Sequence, residues 1–171
     1  MRAFIFVSYI GKITVEITKD VVVDVIAEVL ELDKDEVTLD SSIVDDLGAD
    51  SLDLVDISFS LGKKLKIKMP TKTTLIIASE LCADEKAFIQ GGKLTSAGVD
   101  LLINSPSHYS QSEIDVGMAV SDLLSLTTVL HWFYLAKDVC EHASQNGDVL
   151  LQEYVEQFCV SRDIELINVP A

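Results

Sequence analysis

The run Asp45-Asp46-Leu47-Gly48-Ala49-Asp50-Ser51-Leu52-Asp53 decides how the rest of the chain is read. Gly48 closes a polar loop and Asp50-Ser51 opens a helix. A short oxygen-bearing side chain there accepts bonds from first-turn N–H groups, and Asp53 adds negative charge at the positive end of the helix dipole. By that reading alone the run is a helix cap. Working outward, Thr18 predicts an N-cap and Asp20 a first-turn acid. Val22, Val25, Ile26, Val29 and Leu30 then repeat as one apolar stripe on a helix reaching about Leu32. Asp33 to Leu47 reads as a long polar loop pinned by Val37, Ile43, Val44 and Leu47. The helix that starts at Ser51 is expected to stop before Met69-Pro70, because the residue preceding proline disfavours helical geometry. Its Leu52, Val55, Phe59 and Leu65 are expected to face inward, with Asp53 and Asp56 toward water.

Residues 18–70 together resemble the acyl carrier protein family, and the run around Ser51 resembles that family's phosphopantetheine attachment site. The resemblance implies a mainly α fold, an acyl-carrier-like four-helix bundle, here with a long insertion. It implies a 4'-phosphopantetheine arm on Ser51, with Asp50 and Leu52 as motif neighbours. The arm would come from coenzyme A through a separate magnesium-dependent phosphopantetheinyl transferase. Its thiol would hold acyl groups as thioesters, in fatty acid or specialised lipid biosynthesis, and the chain itself would be no enzyme. Helix-start N–H groups and the dipole favour a phosphodiester at such a position. From Asp35 through Asp56 the chain carries eight acidic residues and no Lys or Arg. That run reads both as a solvated face and, in light of the family, as a docking surface. Asp46, Asp53 and Asp56 would there meet basic patches on acyl-transferring or ketosynthase enzymes.

The chain departs from the family pattern in charge and in length. Gly62-Lys63-Lys64-Leu65-Lys66-Ile67-Lys68 places lysines where carriers have acids. Lysines there complement the helix dipole, and they also reverse the charge of part of the docking surface. Asp56-Ile57-Ser58-Phe59 and Ile67-Lys68-Met69-Pro70 resemble specialised carriers that deliver long acyl chains to lipid A. For the last bundle helix, 127–137 is preferred over the rival start at Leu94-Thr95-Ser96-Ala97, because Val129, Trp132, Phe133 and Ala136 form a fuller stripe. The expected division is an N-terminal extension over 1–17, a carrier domain over 18–137 with an insertion at about 71–126, and a C-terminal extension over 138–171. Helical patterns are read at 74–89 and 114–126, and a small terminal sheet from strands at 3–9 and 164–168. The insertion either enlarges the space for an acyl chain or covers the domain.

Composition excludes several classes. Thirteen Lys and Arg against 28 Asp and Glu give a net charge of -15, which repels nucleic acids and anionic lipid surfaces. The three cysteines are sparse and show no CxxC spacing, which suits a reducing compartment. With no apolar run long enough to span a bilayer, the expected location is cytoplasmic. Cys140, His142 and Cys159 fit no zinc spacing, and His131 and Trp132 read as core or rim residues. Two other functions compete. A peptidyl, aminoacyl or polyketide carrier would use the same arm with another cargo. A GDSL-type serine hydrolase would need a glycine where Ala49 stands and an Asp-x-x-His, which none of His108, His131 and His142 completes.

Overall fold

Thr18 caps the first helix, its hydroxyl accepting the Val21 N–H at 3.2 Å. The helix, α1 (Lys19–Val29), turns Val22, Val25 and Ile26 inward as its spacing requires. The computed structural model describes residues 16–167. After α1 the chain makes a 3₁₀ turn at Lys34–Glu36 and a long loop, then enters α2 (Ser51–Leu65). Val37 and Ile43 pin the loop to the core, and Val44 and Leu47 are half-buried. The loop is also stitched to the start of α6 (Val129–Glu141): Ile43 N–H donates to the Thr127 carbonyl and Val129 N–H to the Ser41 carbonyl, each at 3.1 Å. Helices α1, α2 and α6 thereby close a first core around Val22, Ile26, Ile43, Ile57, Leu61 and Val129, all fully buried.

The inward stripe of α2 is Ile57, Leu61 and Leu65, with Leu54 half-buried behind them. Leu52, Val55 and Phe59, expected inside, are 74%, 65% and 72% exposed. The helix has apolar residues on both sides, and the set at 54, 57, 61 and 65 follows the 3.6-residue period over more turns. Leu65 alone of the four expected residues is buried.

A second core is assembled from α3 (Thr74–Leu81), a hairpin of β1 (Ile89–Gln90) and β2 (Lys93–Leu94), α4 (Ser96–Ile103), α5 (Asp122–Leu126) and α7 (Gly147–Ser161). It buries Ala78, Phe88, Leu101, Ile114, Leu151 and Val155. The strands pair antiparallel, Ile89 opposite Leu94, across a turn at Gly91-Gly92. This is the small sheet of a mainly helical fold, and it lies within the chain. Strand 3–9 lies outside the described residues. In the expected strand at 164–168, Leu166 makes an isolated bridge to Cys82. Two expected helices are shorter than their patterns. Residues 74–89 are helical only to Leu81, where the chain turns into the hairpin. Residues 114–126 are helical only from Asp122, because Gly117 takes φ +87° and its segment lies along the hairpin. Gly117 N–H donates to the Leu94 carbonyl at 2.8 Å and Leu94 N–H to the Met118 carbonyl at 2.9 Å.

The cores meet at a clamp. Lys68 N–H donates to the Gln145 carbonyl at 3.0 Å and Gly147 N–H to the Lys68 carbonyl at 2.7 Å. Thr71 N–H and hydroxyl both donate to the Asp148 carboxylate, at 2.7 and 3.0 Å, and the Lys68 ammonium lies 3.2 Å from it. Burial would raise the Asp148 pKa, but these donors outweigh it and hold the carboxyl below its ordinary value. Gly147 is required here: a Cβ would stand 2.3 Å from Pro70 Cδ. Leu135 of α6 packs against both cores.

Candidate functional site

The start of α2 is built so that its serine has no structural task. Gly48 takes φ +73°, a conformation that favours glycine, and so turns the loop toward the helix. Ala49 is buried, its N–H donating to the Ile43 carbonyl at 3.0 Å. Asp50 is the N-cap: one carboxylate oxygen accepts the N–H groups of Leu52 and Asp53 at 2.8 and 3.0 Å. Asp53 answers by accepting the Asp50 N–H at 2.9 Å, which completes a capping box. Ser51 is therefore the first helical residue, exposed, and among the described residues its hydroxyl makes no hydrogen bond. The cap also uses the N–H groups of Leu52 and Asp53, so they are not free to hold a phosphodiester. The helix dipole remains.

The acids expected to dock partners are unequally free. Asp53 is committed to the cap. Asp46 accepts the Ser42 N–H at 2.8 Å and so holds the loop, and Asp45 accepts the Ser125 hydroxyl at 3.2 Å. Asp56 is exposed and makes no hydrogen bond or ion pair among the described residues. Leu52 is exposed beside Ser51.

From the apolar stripe of α2 an open groove of about 1420 Å³ runs between the two cores. Its walls include Val55 and Phe59 of α2, Met69, Ile76 of α3, Leu124 of α5 and Trp132 of α6. A polar strip crosses it. The Tyr109 phenol and Thr127 hydroxyl are 2.8 Å apart, and the His131 ring lies against Tyr109 with centroids 4.9 Å apart. His131 Nδ1 accepts the Thr128 N–H at 2.9 Å and so closes the α6 cap in the place a Glu or Gln usually takes. Its Nε2 faces Glu113 at 3.5 Å. Burial lowers the His131 pKa against the pull of that carboxylate, which favours the neutral ring. The Trp132 indole N–H is buried without a partner among the described residues.

Sequence reasoning put Ser51, Asp50 and Leu52 at a helix start, where the structure has them, and left open whether the insertion makes room or only covers; the walls of the groove it did not name. The competing inward stripe on α2 could have pointed to the α2 wall. The contributions of Ile76, Tyr109 and Leu124 depend on long-range folding and have no local signature. Among the described residues no group of three or more potential metal ligands converges, and no helix is long and apolar enough to cross a membrane.

Comparisons with known proteins converge on the same segment. A family profile described as "Phosphopantetheine attachment site" matches residues 20–74. The chain is 51% identical over 53 residues to acyl carrier protein AcpXL of Brucella melitensis, covering 31% of this chain and 57% of that protein. To AcpXL of Rhizobium etli it is 49% identical over 53 residues, 31% of this chain and 58% of that one. To the acyl carrier protein of Clostridium acetobutylicum it is 41% identical over 56 residues, 33% of this chain and 73% of that protein. The chain thus spans little more than half the length of the AcpXL relatives. The prosthetic group these matches imply is covalently attached 4'-phosphopantetheine. No solved structure matches.

Proposed function

Because the chain belongs to the acyl carrier protein family, we propose that it holds acyl groups as thioesters on a 4'-phosphopantetheine arm attached to Ser51. One observation carries the reading: Asp50 performs the capping that a helix-start serine would otherwise perform, and the Ser51 hydroxyl is left exposed and unbonded. The group supplies a thiol; the chain supplies its tether, and Asp50 and Asp53 fix the backbone on which that tether sits. The chain catalyses no step of its own in this reading. A phosphopantetheinyl transferase installs the arm, and acyl-transferring or ketosynthase enzymes load and unload it. Residues 18–137 form the carrier domain, interrupted by an insertion at 71–126, and 1–17 and 138–171 are extensions. The insertion and the C-terminal extension act as one unit, because they share the second core. The acidic surface and sparse cysteines favour the cytoplasm.

The groove favours a long acyl cargo. On α2 it begins at Leu54, about 4.5 Å of helix rise beyond Ser51. Its volume of about 1420 Å³ exceeds the roughly 300–1,000 Å³ usual for small-molecule sites. Each sheltered methylene contributes about 0.8 kcal/mol. A long cargo of this kind supports a role in specialised lipid biosynthesis.

Intact mass spectrometry after treatment with coenzyme A and a broad-specificity phosphopantetheinyl transferase tests the tether. One added arm is expected on the native chain and none on Ser51→Ala. Arm loading on Ser51→Ala would refute it. Loading the holo-protein with acyl chains of increasing length tests the cargo: stability is expected to rise with length, and indifference to length removes the groove from the reading.

A further inference from the structure

One exposed stripe of α2 runs from its acidic start to its basic end. Leu52, Val55, Phe59 and Lys63 follow one another at helical spacing, with Asp56 beside the first turns and Lys66 at the C-cap. The three apolar members are among the most exposed large hydrophobic residues of the protein. Lys63, Lys64 and Lys66 are exposed, and none of them makes an ion pair among the described residues, whereas Lys68 and Lys72 are paired with Asp148 and Glu80. The one carboxylate lining the hollow beside Lys63 and Lys64 is Glu28 of α1. At 1.5 Å per residue the lysine end stands about 18 Å from Ser51. Dipole compensation is served by the pair Lys63 and Lys64 in the last turn, and Lys66, beyond it at φ +56°, adds charge without need.

We propose, resting on the carrier reading above, that the partner enzyme of this chain meets α2 with a two-signed face. Basic residues lie near the entrance for the arm, an apolar strip follows over Leu52, Val55 and Phe59, and acidic residues lie opposite Lys63, Lys64 and Lys66. A partner whose whole contact face is basic gains attraction at the Asp56 end and loses it at the lysine end. The stripe therefore selects among partners through charge order along one helix, acting mainly on encounter.

The test uses the full chain with its arm and, as probe, a ketosynthase whose carrier-docking face is basic throughout. Mass spectrometry first verifies arm loading, which reads the carrier function by itself: failure to load refutes that reading. With loaded protein, K63E/K64E/K66E is expected to lower the probe's KM about tenfold at unchanged kcat, and K63Q/K64Q/K66Q, which leaves the dipole less disturbed, to fall between. Replacing by Glu the probe's basic residues that face the end of α2 is expected to invert the order, so that the native chain becomes the better substrate. Equal KM values for the native and Gln chains, or an order that the swapped probe does not invert, overturns the two-signed face while leaving the tether intact.

Discussion

The two cores of this protein solve packing differently. The first is three long helices and a pinned loop, built mainly from Val, Ile and Leu, and it leaves an apolar face of α2 in water. The second sets three short helices and a two-residue-strand hairpin against the long α7, and it joins segments far apart in the chain, such as Cys82 and Cys159 with sulfurs 3.3 Å apart. Residues 20–74, which match known carriers, lie mostly in the first core. The comparison teaches that the part matching known carriers closes through α6, whereas the second core depends on α7 returning to the segment 71–126. Both closures join segments of similar separation, Ile43 with Thr127 and Cys82 with Cys159, so loop-closure entropy costs them about equally.

The sharpest way to break the comparison is to hollow each core in turn. Leu61→Ala in the first and Leu151→Ala in the second each remove a buried leucine, and each is expected to cost about 2–5 kcal/mol. Denaturant unfolding measures the loss. Hydrogen exchange is expected to show protection lost first in the core that was cut; uniform loss in both variants would mean the cores are one cooperative unit. Gly147→Ala drives a methyl into Pro70 at the clamp and is expected to cost about 1–3 kcal/mol. Its mark is a weaker groove, read as reduced retention of long acyl chains, with arm loading at Ser51 unchanged.

A smaller effect follows from Asp148. Its folded pKa lies below the ordinary 3.8, so the unfolded chain binds the proton more readily. The stabilisation is present above that ordinary value and is lost as pH falls below it through the folded value. Acid unfolding of Asp148→Asn is expected to show a flatter limb in that range than the native chain, with a loss of about 1 kcal/mol at pH 7. The smallest expected difference is chemical. Burial, then the neighbouring Cys82 sulfur, pushes the Cys159 thiol up to about 12, and burial raises Cys82 as well. Cys140, on α6 of the first core, is partly exposed, although burial lifts it to about 11. Alkylation of the folded protein is expected to label Cys140 before the other two, and all three together only after unfolding.

Much of the first core was readable from residues 18–69. Thr18, the stripe on α1, the pins at Val37 and Ile43 and the Asp50-Ser51 helix start all act within a few residues of themselves. The orientation of α2 was not readable in the same way, because Leu52, Val55 and Phe59 compete with Leu54, Ile57 and Leu61 for the inside and only the partners decide. The second core resisted reading for a related reason. Gly117 converts an apparently helical stretch into a segment beside the hairpin, and Leu166 bridges Cys82, far from it in the chain. The proposed attachment segment was legible as a motif, but the release of Ser51 from capping duty shows only in the folded chain.

That release has a consequence for the life of the molecule. Since the Ser51 side chain contributes none of the bonds that start its helix, esterifying its oxygen would break no hydrogen bond of the fold. A bare and an armed chain would therefore share one capped backbone, the added phosphodiester charge meeting only the positive end of the α2 dipole. An enzyme that must tell them apart would have to sense the appendage itself, because no capping bond changes beneath it.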